Sequence, residues 1–226
     1  MKADDRVVLI AGGHGALGQA VVPAFEQIGV RVFTVDDHRV QDIGKRRTAI
    51  QGDLTDEREV QRVVSEVTGE SGRIDVLVNL VGTFAPGRVV DTDATVWQRM
   101  LTVNVTSAFL LSKAVLPLML GEKSGRIVHI AAQAALNPFA GASAYIVSKS
   151  ALIALIRTLA LETAGHGVTV NGILPTTIDT PANRKNMPDA DRSTWVSSSA
   201  IADMIVFLAS SNAASINGAL IPMGSQ

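Results

Sequence analysis

No cysteine occurs anywhere in the 226 residues, so disulfides, thiolate nucleophiles and cysteine-ligated metals are excluded from the outset. Aromatic side chains are scarce at 4%, with one tyrosine and two tryptophans. A core must therefore rest on Val, Ile, Leu and Ala, and aliphatic, β-branched strands of that kind suit a sheet covered on both faces by helices. Excess charge is missing too. The net charge of −1 offers neither nucleic acid nor an anionic membrane an electrostatic footprint. No uninterrupted apolar run approaches the ~20 residues of a membrane span. The opening MKADDRVVLIAGG is a charged stub before a short apolar run, without the longer apolar region of a signal peptide. These absences predict a cytoplasmic protein that acts on a small molecule, with no nucleic-acid, membrane or metal partner.

What is present alternates. Apolar strand candidates lie at Arg6–Ala11, Val30–Val35, Thr48–Gln51, Ile74–Val81, Gly125–Ala131, Val168–Leu174 and Ile216–Pro222. Helical patterns separate them at Ala16–Ile28, around Val60, Val63, Val64 and Val67, and at Asp93–Leu120, Ser143–Thr163 and Ala200–Ser210. The valines at i, i+3, i+4 and i+7 mark one helix face, with Thr55 as the expected N-cap and Pro117 as the expected bend in the long helix. Pro175–Ser199 is polar and proline-containing and reads as irregular. The alternation predicts one α/β domain over residues 1–226, a Rossmann-type, doubly wound, parallel seven-stranded sheet with helices on both faces.

Three places carry chemistry. Gly12-Gly13-His14-Gly15-Ala16-Leu17-Gly18 lies between the first strand and the first helix, where glycines let the backbone approach a pyrophosphate at a helix N-terminus. His14 either touches a phosphate or faces solvent, and takes no catalytic role. Asp36 ends the second strand, where a carboxylate accepts hydrogen bonds from ribose hydroxyls and repels a 2′-phosphate. That favours NAD(H), and the following His38 and Arg39 leave NADP(H) admissible. Tyr145 and Lys149 lie one helical turn apart and share a face. An ammonium beside a phenol lowers its pKa from ~10 toward the working range of a proton donor.

In order and spacing these pieces resemble the short-chain dehydrogenase/reductases over nearly the whole chain. The resemblance places the adenine beside Asp53 and Leu54, and likens Asn79-Leu80-Val81-Gly82 to the family's Asn-Asn-Ala-Gly strand end. It makes Asn104 the active-site asparagine that positions a relay water, and Tyr145 and Lys149 the catalytic pair. Pro175 through Thr180, Ile178 included, would meet the nicotinamide amide, and residues Pro181 to Ser199 would form the substrate loop. A homodimer or homotetramer paired through the two long helices is also implied. One departure stands out: Ala132 occupies the position of the family's catalytic serine, followed by Gln133. Ser143 and Thr83 are the hydroxyls that could replace it.

The sequence is also similar to dihydropteridine reductases, which have a like glycine loop, lack that serine, and carry a segment close to Leu174–Asp191. By that likeness Phe84 stands where a pterin-stacking tryptophan would be, with Ala132 and Gln133 also at the substrate. Asn104 points instead to the broader family. Three readings therefore stand: a pterin-type reductase, a carbonyl or alcohol oxidoreductase of the same fold, and a catalytically weak nucleotide-binding regulator.

Overall fold

The computed structural model describes residues 6–38 and 46–224. Seven strands form one parallel sheet: β1 (Val7–Ala11), β2 (Arg31–Asp36), β3 (Arg47–Gln51), β4 (Val76–Asn79), β5 (Gly125–Ile130), β6 (Val168–Pro175) and β9 (Leu220–Met223). Their order is β3-β2-β1-β4-β5-β6-β9, so the winding reverses between β1 and β4. A crevice opens beyond the carboxyl ends of the strands at such a reversal. The strands are nearly all apolar because both faces are covered: β1, for example, is buried at every position.

Helices α2 (Glu57–Ser71), α4 (Ser107–Gly121) and α5 (Ser143–Glu162) pack on one face, where Val60, Val63, Val64 and Val67 meet Leu111, Met119 and Ile156. Helices α1 (Gly18–Gln27) and α7 (Ser198–Ala209) cover the other, around Phe25, Ile201 and Ile205. The helix pattern read at α2 is thus its buried face. Two helical stretches, Ala94–Gly121 and Ser143–Glu162, are long and apolar enough to cross a membrane, although neither is an uninterrupted apolar run; 44% of each such window is buried inside the protein.

Three local expectations need correction. The N-cap of α2 is Asp56, whose carboxylate accepts from the Arg58 and Glu59 amides, while Thr55 turns back to donate to Asp53. The stretch expected to be one helix bent at Pro117 is instead α3 (Ala94–Leu101), a π-helical turn (Thr102–Thr106) and α4, and Pro117 lies inside α4. The interruption centres on Asn104, whose side chain is pulled across to neighbouring segments. Residues 175–199 are not irregular throughout. They hold β7 (Ile178–Asp179), α6 (Pro181–Asn186) and β8 (Val196–Ser197), with β7 and β8 pairing in parallel. Thr180 caps α6 through the Asn183 amide and Pro181 opens it, a combination suited to a helix start.

Candidate active site

The crevice is built from four segments at the carboxyl ends of the strands. The first is the loop from β1 to α1, which folds back so that the Gly12 amide donates to Val35 and the Gly15 amide to Gly12. Gly12 needs its positive φ of 77°, and a side chain on Gly13 would strike Thr34 at 2.6 Å. A Cβ on Gly18 would fall inside the Gly13 carbonyl. At Gly12, Gly13 and Gly18 the loop accepts only bare backbone, as a phosphate cradle at a helix N-terminus requires. Gly15 and Ala16 are exposed at its crest, whereas Leu17 is buried beneath it. Ala16, at the usual glycine position, therefore costs no space.

Asp36 follows at the end of β2. Its carboxylate accepts from the His14 amide at 3.2 Å, and the His14 ring pairs with the Thr34 hydroxyl at 2.9 Å. His14 thus latches the loop to β2, a supporting part that neither of its sequence readings included. Burial pushes the Asp36 pKa up, opposed by the His14 hydrogen bond. His38 is exposed against Asp37, and Arg39 lies outside the described residues. Beyond β3, the Asp53 carboxylate is occupied by Thr55 and Leu54 is buried.

The third segment leaves β4. Asn79 is buried, and its Oδ1 accepts from the Val81 amide at 3.0 Å. Gly82 is exposed at the crevice floor; a Cβ there would come within 3.1 Å of Lys149 Nζ and 3.3 Å of Asn104 Oδ1. Asn104 grips the next residue from both sides, accepting from the Thr83 amide at 2.8 Å and donating to the Thr83 carbonyl at 3.0 Å. It also donates to Ser148 Oγ at 2.9 Å. Its fully buried side chain therefore clamps the neighbouring segments together. Farther on, Gly87 bridges to residues 141–143: its amide donates to Gly141, and the Ser143 amide donates to it.

The fourth segment is β5 with α5. Lys149 is buried and donates to the Ile130 carbonyl at 2.9 Å. Burial pulls its pKa down to about 8 and pushes Tyr145 up to about 12. The shared helix face is as expected, but burial of the phenol sets the direction of its shift, so Tyr145 is not made more acidic here. Phe84 sets its ring edge-on to Tyr145, with centroids 4.9 Å apart, and is 56% exposed. Ala132 is buried where a serine hydroxyl was expected. Gln133 is buried too and donates to the Met223 carbonyl, so it braces β9. Pro175 is buried at the end of β6, with Ile178 and Thr180 just beyond. Among the described residues no hydrogen bond joins Ser143 or Thr83 side chains to the Tyr145 hydroxyl.

Sequence reasoning missed His129, which is fully buried in β5 between Asn79 and Ser112. A polar residue inside an otherwise apolar strand was the available signal. Burial and the Lys149 charge hold its pKa down to about 4. An unfolded imidazole binds its proton near 6.5, so the unfolded state gains protons first as pH falls. The stability present above pH 6.5 should drop by about 3 kcal/mol by pH 4. Urea melts at stepped pH would show this loss, reduced in His129→Asn.

A glycine cradle, a carboxylate at the second strand end and a Tyr–Lys pair with its lysine buried, on one parallel sheet, define a nicotinamide-nucleotide oxidoreductase. The chain matches the family of short chain dehydrogenases over residues 6–191 and belongs to it. It is 32% identical to meso-2,3-butanediol dehydrogenase of Serratia marcescens, covering 99% of this chain and 94% of that one. It is 28% identical to a 3-oxoacyl-[acyl-carrier-protein] reductase of Thermotoga maritima, covering 98% and 97%. The ligand-free structure of Thermoplasma acidophilum aldohexose dehydrogenase superposes with a TM-score of 0.89 at 27% identity, covering 98% and 93%. The protein is thus an NAD(P)-dependent short-chain dehydrogenase/reductase. By their names these relatives act on a butanediol, a 3-oxoacyl group and an aldohexose, and they lend the dihydropteridine reductase subgroup no support.

Proposed function

We propose that this enzyme interconverts a small ketone, hydroxylated or otherwise polar, with its alcohol, and prefers NAD(H). The observation that carries the reading is the placing of Lys149 against Gly82, with Tyr145 one helical turn before it against Phe84, on the sheet that also bears the glycine loop and Asp36. The bound nicotinamide supplies or accepts the hydride. Residues 12–18 offer backbone amides to the pyrophosphate, and Asp36 offers a carboxylate to the adenosine ribose. Lys149 holds the nicotinamide ribose, and the Tyr145 hydroxyl gives its proton to the developing alkoxide. Polar relatives such as the butanediol and aldohexose dehydrogenases support this substrate class. Exposed Phe109, Val147 and Leu161 on α4 and α5 support pairing of two copies through those helices.

Ala132 favours a second reading. With no hydroxyl there to polarise a ketone, and with Phe84 exposed beside Tyr145, a flat, electron-poor ring such as a quinonoid dihydropterin would need less help. The deciding experiment follows NADH and NADPH consumption with acetoin, a ketose panel and quinonoid dihydropterin, for wild type and Ala132→Ser. On the ketone reading, acetoin or a ketose turns over and the added hydroxyl raises kcat/KM about tenfold, the size of one well-placed hydrogen bond. Turnover confined to the pterin, indifferent to the serine, would sink that reading and establish the second.

A further inference from the structure

Resting on the cofactor-site reading above, we propose that His129 is a positioning residue for the hydride-transfer site: as a neutral imidazole it locks the strand end at residues 79–82 against which Lys149 and Asn104 rest. Asn79 and His129 are register partners on adjacent strands β4 and β5. The Ser112 hydroxyl donates to the Ala108 carbonyl at 2.7 Å, so its oxygen is left to accept from His129 Nε2–H at 3.2 Å. Nδ1 then carries no proton and accepts from the Asn79 amide nitrogen, 3.4 Å away. That fixes the Asn79 amide with its oxygen toward the Val81 amide, 3.0 Å away. Only this arrangement gives each polar atom of the Ser112–His129–Asn79–Val81 relay its complement.

The consequence reaches the site within two residues. Val81 leads into Gly82, whose backbone lies so close to Lys149 Nζ and Asn104 Oδ1 that a methyl group there would press on both, at 3.1 and 3.3 Å. The other side of the same frame is Ile130, next to His129, whose carbonyl holds the Lys149 ammonium. A proton on Nδ1 would face the Asn79 NH2. Relief would require flipping that amide and turning its NH2 onto the Val81 N–H. Burial and the nearby Lys149 charge keep the imidazole neutral, which agrees with this wiring. His129 touches no crevice surface; it acts only through Asn79.

Two variants separate this role from simple core packing. In His129→Asn the new Oδ1 can stand in for Nδ1 and accept from Asn79, losing Ser112. In His129→Gln the longer amide reaches Ser112 and loses Asn79. Each removes one hydrogen bond, so a packing role predicts like behaviour. The proposal predicts that the asparagine variant binds NADH within about threefold of wild type, whereas the glutamine variant binds about tenfold more weakly, the cost of one unsatisfied buried group. NADH fluorescence reads the affinity. Val81 amide exchange should stay protected in the first and speed up about tenfold in the second. In the wild type, 15N shifts of labelled histidine should show a neutral Nε2–H imidazole that does not titrate near 6.5. Equal behaviour of the two variants, or an Nδ1–H imidazole, would overturn the proposal. Failure of the wild type to bind NADH would sink the cofactor reading instead, leaving Val81 exchange and the imidazole shifts to judge His129.

Discussion

Tyr145→Phe should lower kcat by about a thousandfold, the usual worth of a positioned proton donor, while NADH affinity changes less than about twofold. The phenol's proton is the one thing the substitution removes, since Phe84 packs against the ring and not the hydroxyl. Single-turnover kinetics with saturating NADH would check the first part and fluorescence titration the second. Retention of most of the turnover would discard the assigned chemistry. The raised pKa of Tyr145, about 12, adds a direction: before the nucleotide binds, the phenol stays protonated at working pH, as a donor in ketone reduction requires. Alcohol oxidation needs it as a base, so the oxidative rate should keep rising to higher pH than the reductive rate. The chain has only this tyrosine, so tyrosinate absorbance reports on it without ambiguity.

Gly18→Ala should abolish measurable nucleotide binding, a loss of at least about a hundredfold, and lower stability by about 1–3 kcal/mol, as forced overpacking does. The added Cβ would fall inside the Gly13 carbonyl and press on Gly12 at 2.8 Å, so the obstacle is backbone with nowhere to swing. The loop would have to open, and Gly13 has no space beside Thr34 for a side chain of its own. Gly15→Ala is the matched control: its Cβ meets only the Gly12 carbonyl at 3.3 Å, and affinity should fall far less. Equilibrium dialysis with NADH on both variants gives the comparison. Equal affinities would mean the cradle does not bind through its backbone.

Much of this could be read in the sequence because parallel strands buried on both faces are written as short apolar runs. The seven strands, their order of appearance and the Tyr145–Lys149 face followed from periodicity alone. Strand ends were less legible: Ile74–Val81 contracts to Val76–Asn79, because polar partners around Asn79 and Val81 end the ladder. The π turn at Asn104 was invisible, since its cause is a side chain reaching Thr83 and Ser148, both distant in sequence. The acidity of Tyr145 was misjudged for a related reason. Helical spacing shows which residues are neighbours but not how deeply they are buried. Short elements in residues 175–199 were hidden by a polar composition that their caps, not their cores, explain.

The bridge that joins Gly87 to residues 141–143 makes one solid wall out of two stretches of chain. Phe84 and Tyr145 stand on that wall, so the spacing between aromatic ring and proton donor is preset rather than adjusted to each guest. Room for a longer or bulkier substrate has to come from across the crevice, where the two residue pairs of β7 and β8 and a few side-chain hydrogen bonds, such as Asn183 to the Ile178 carbonyl, hold residues 178–197 together. Selectivity is therefore retuned most easily on that side, leaving the reacting centre undisturbed.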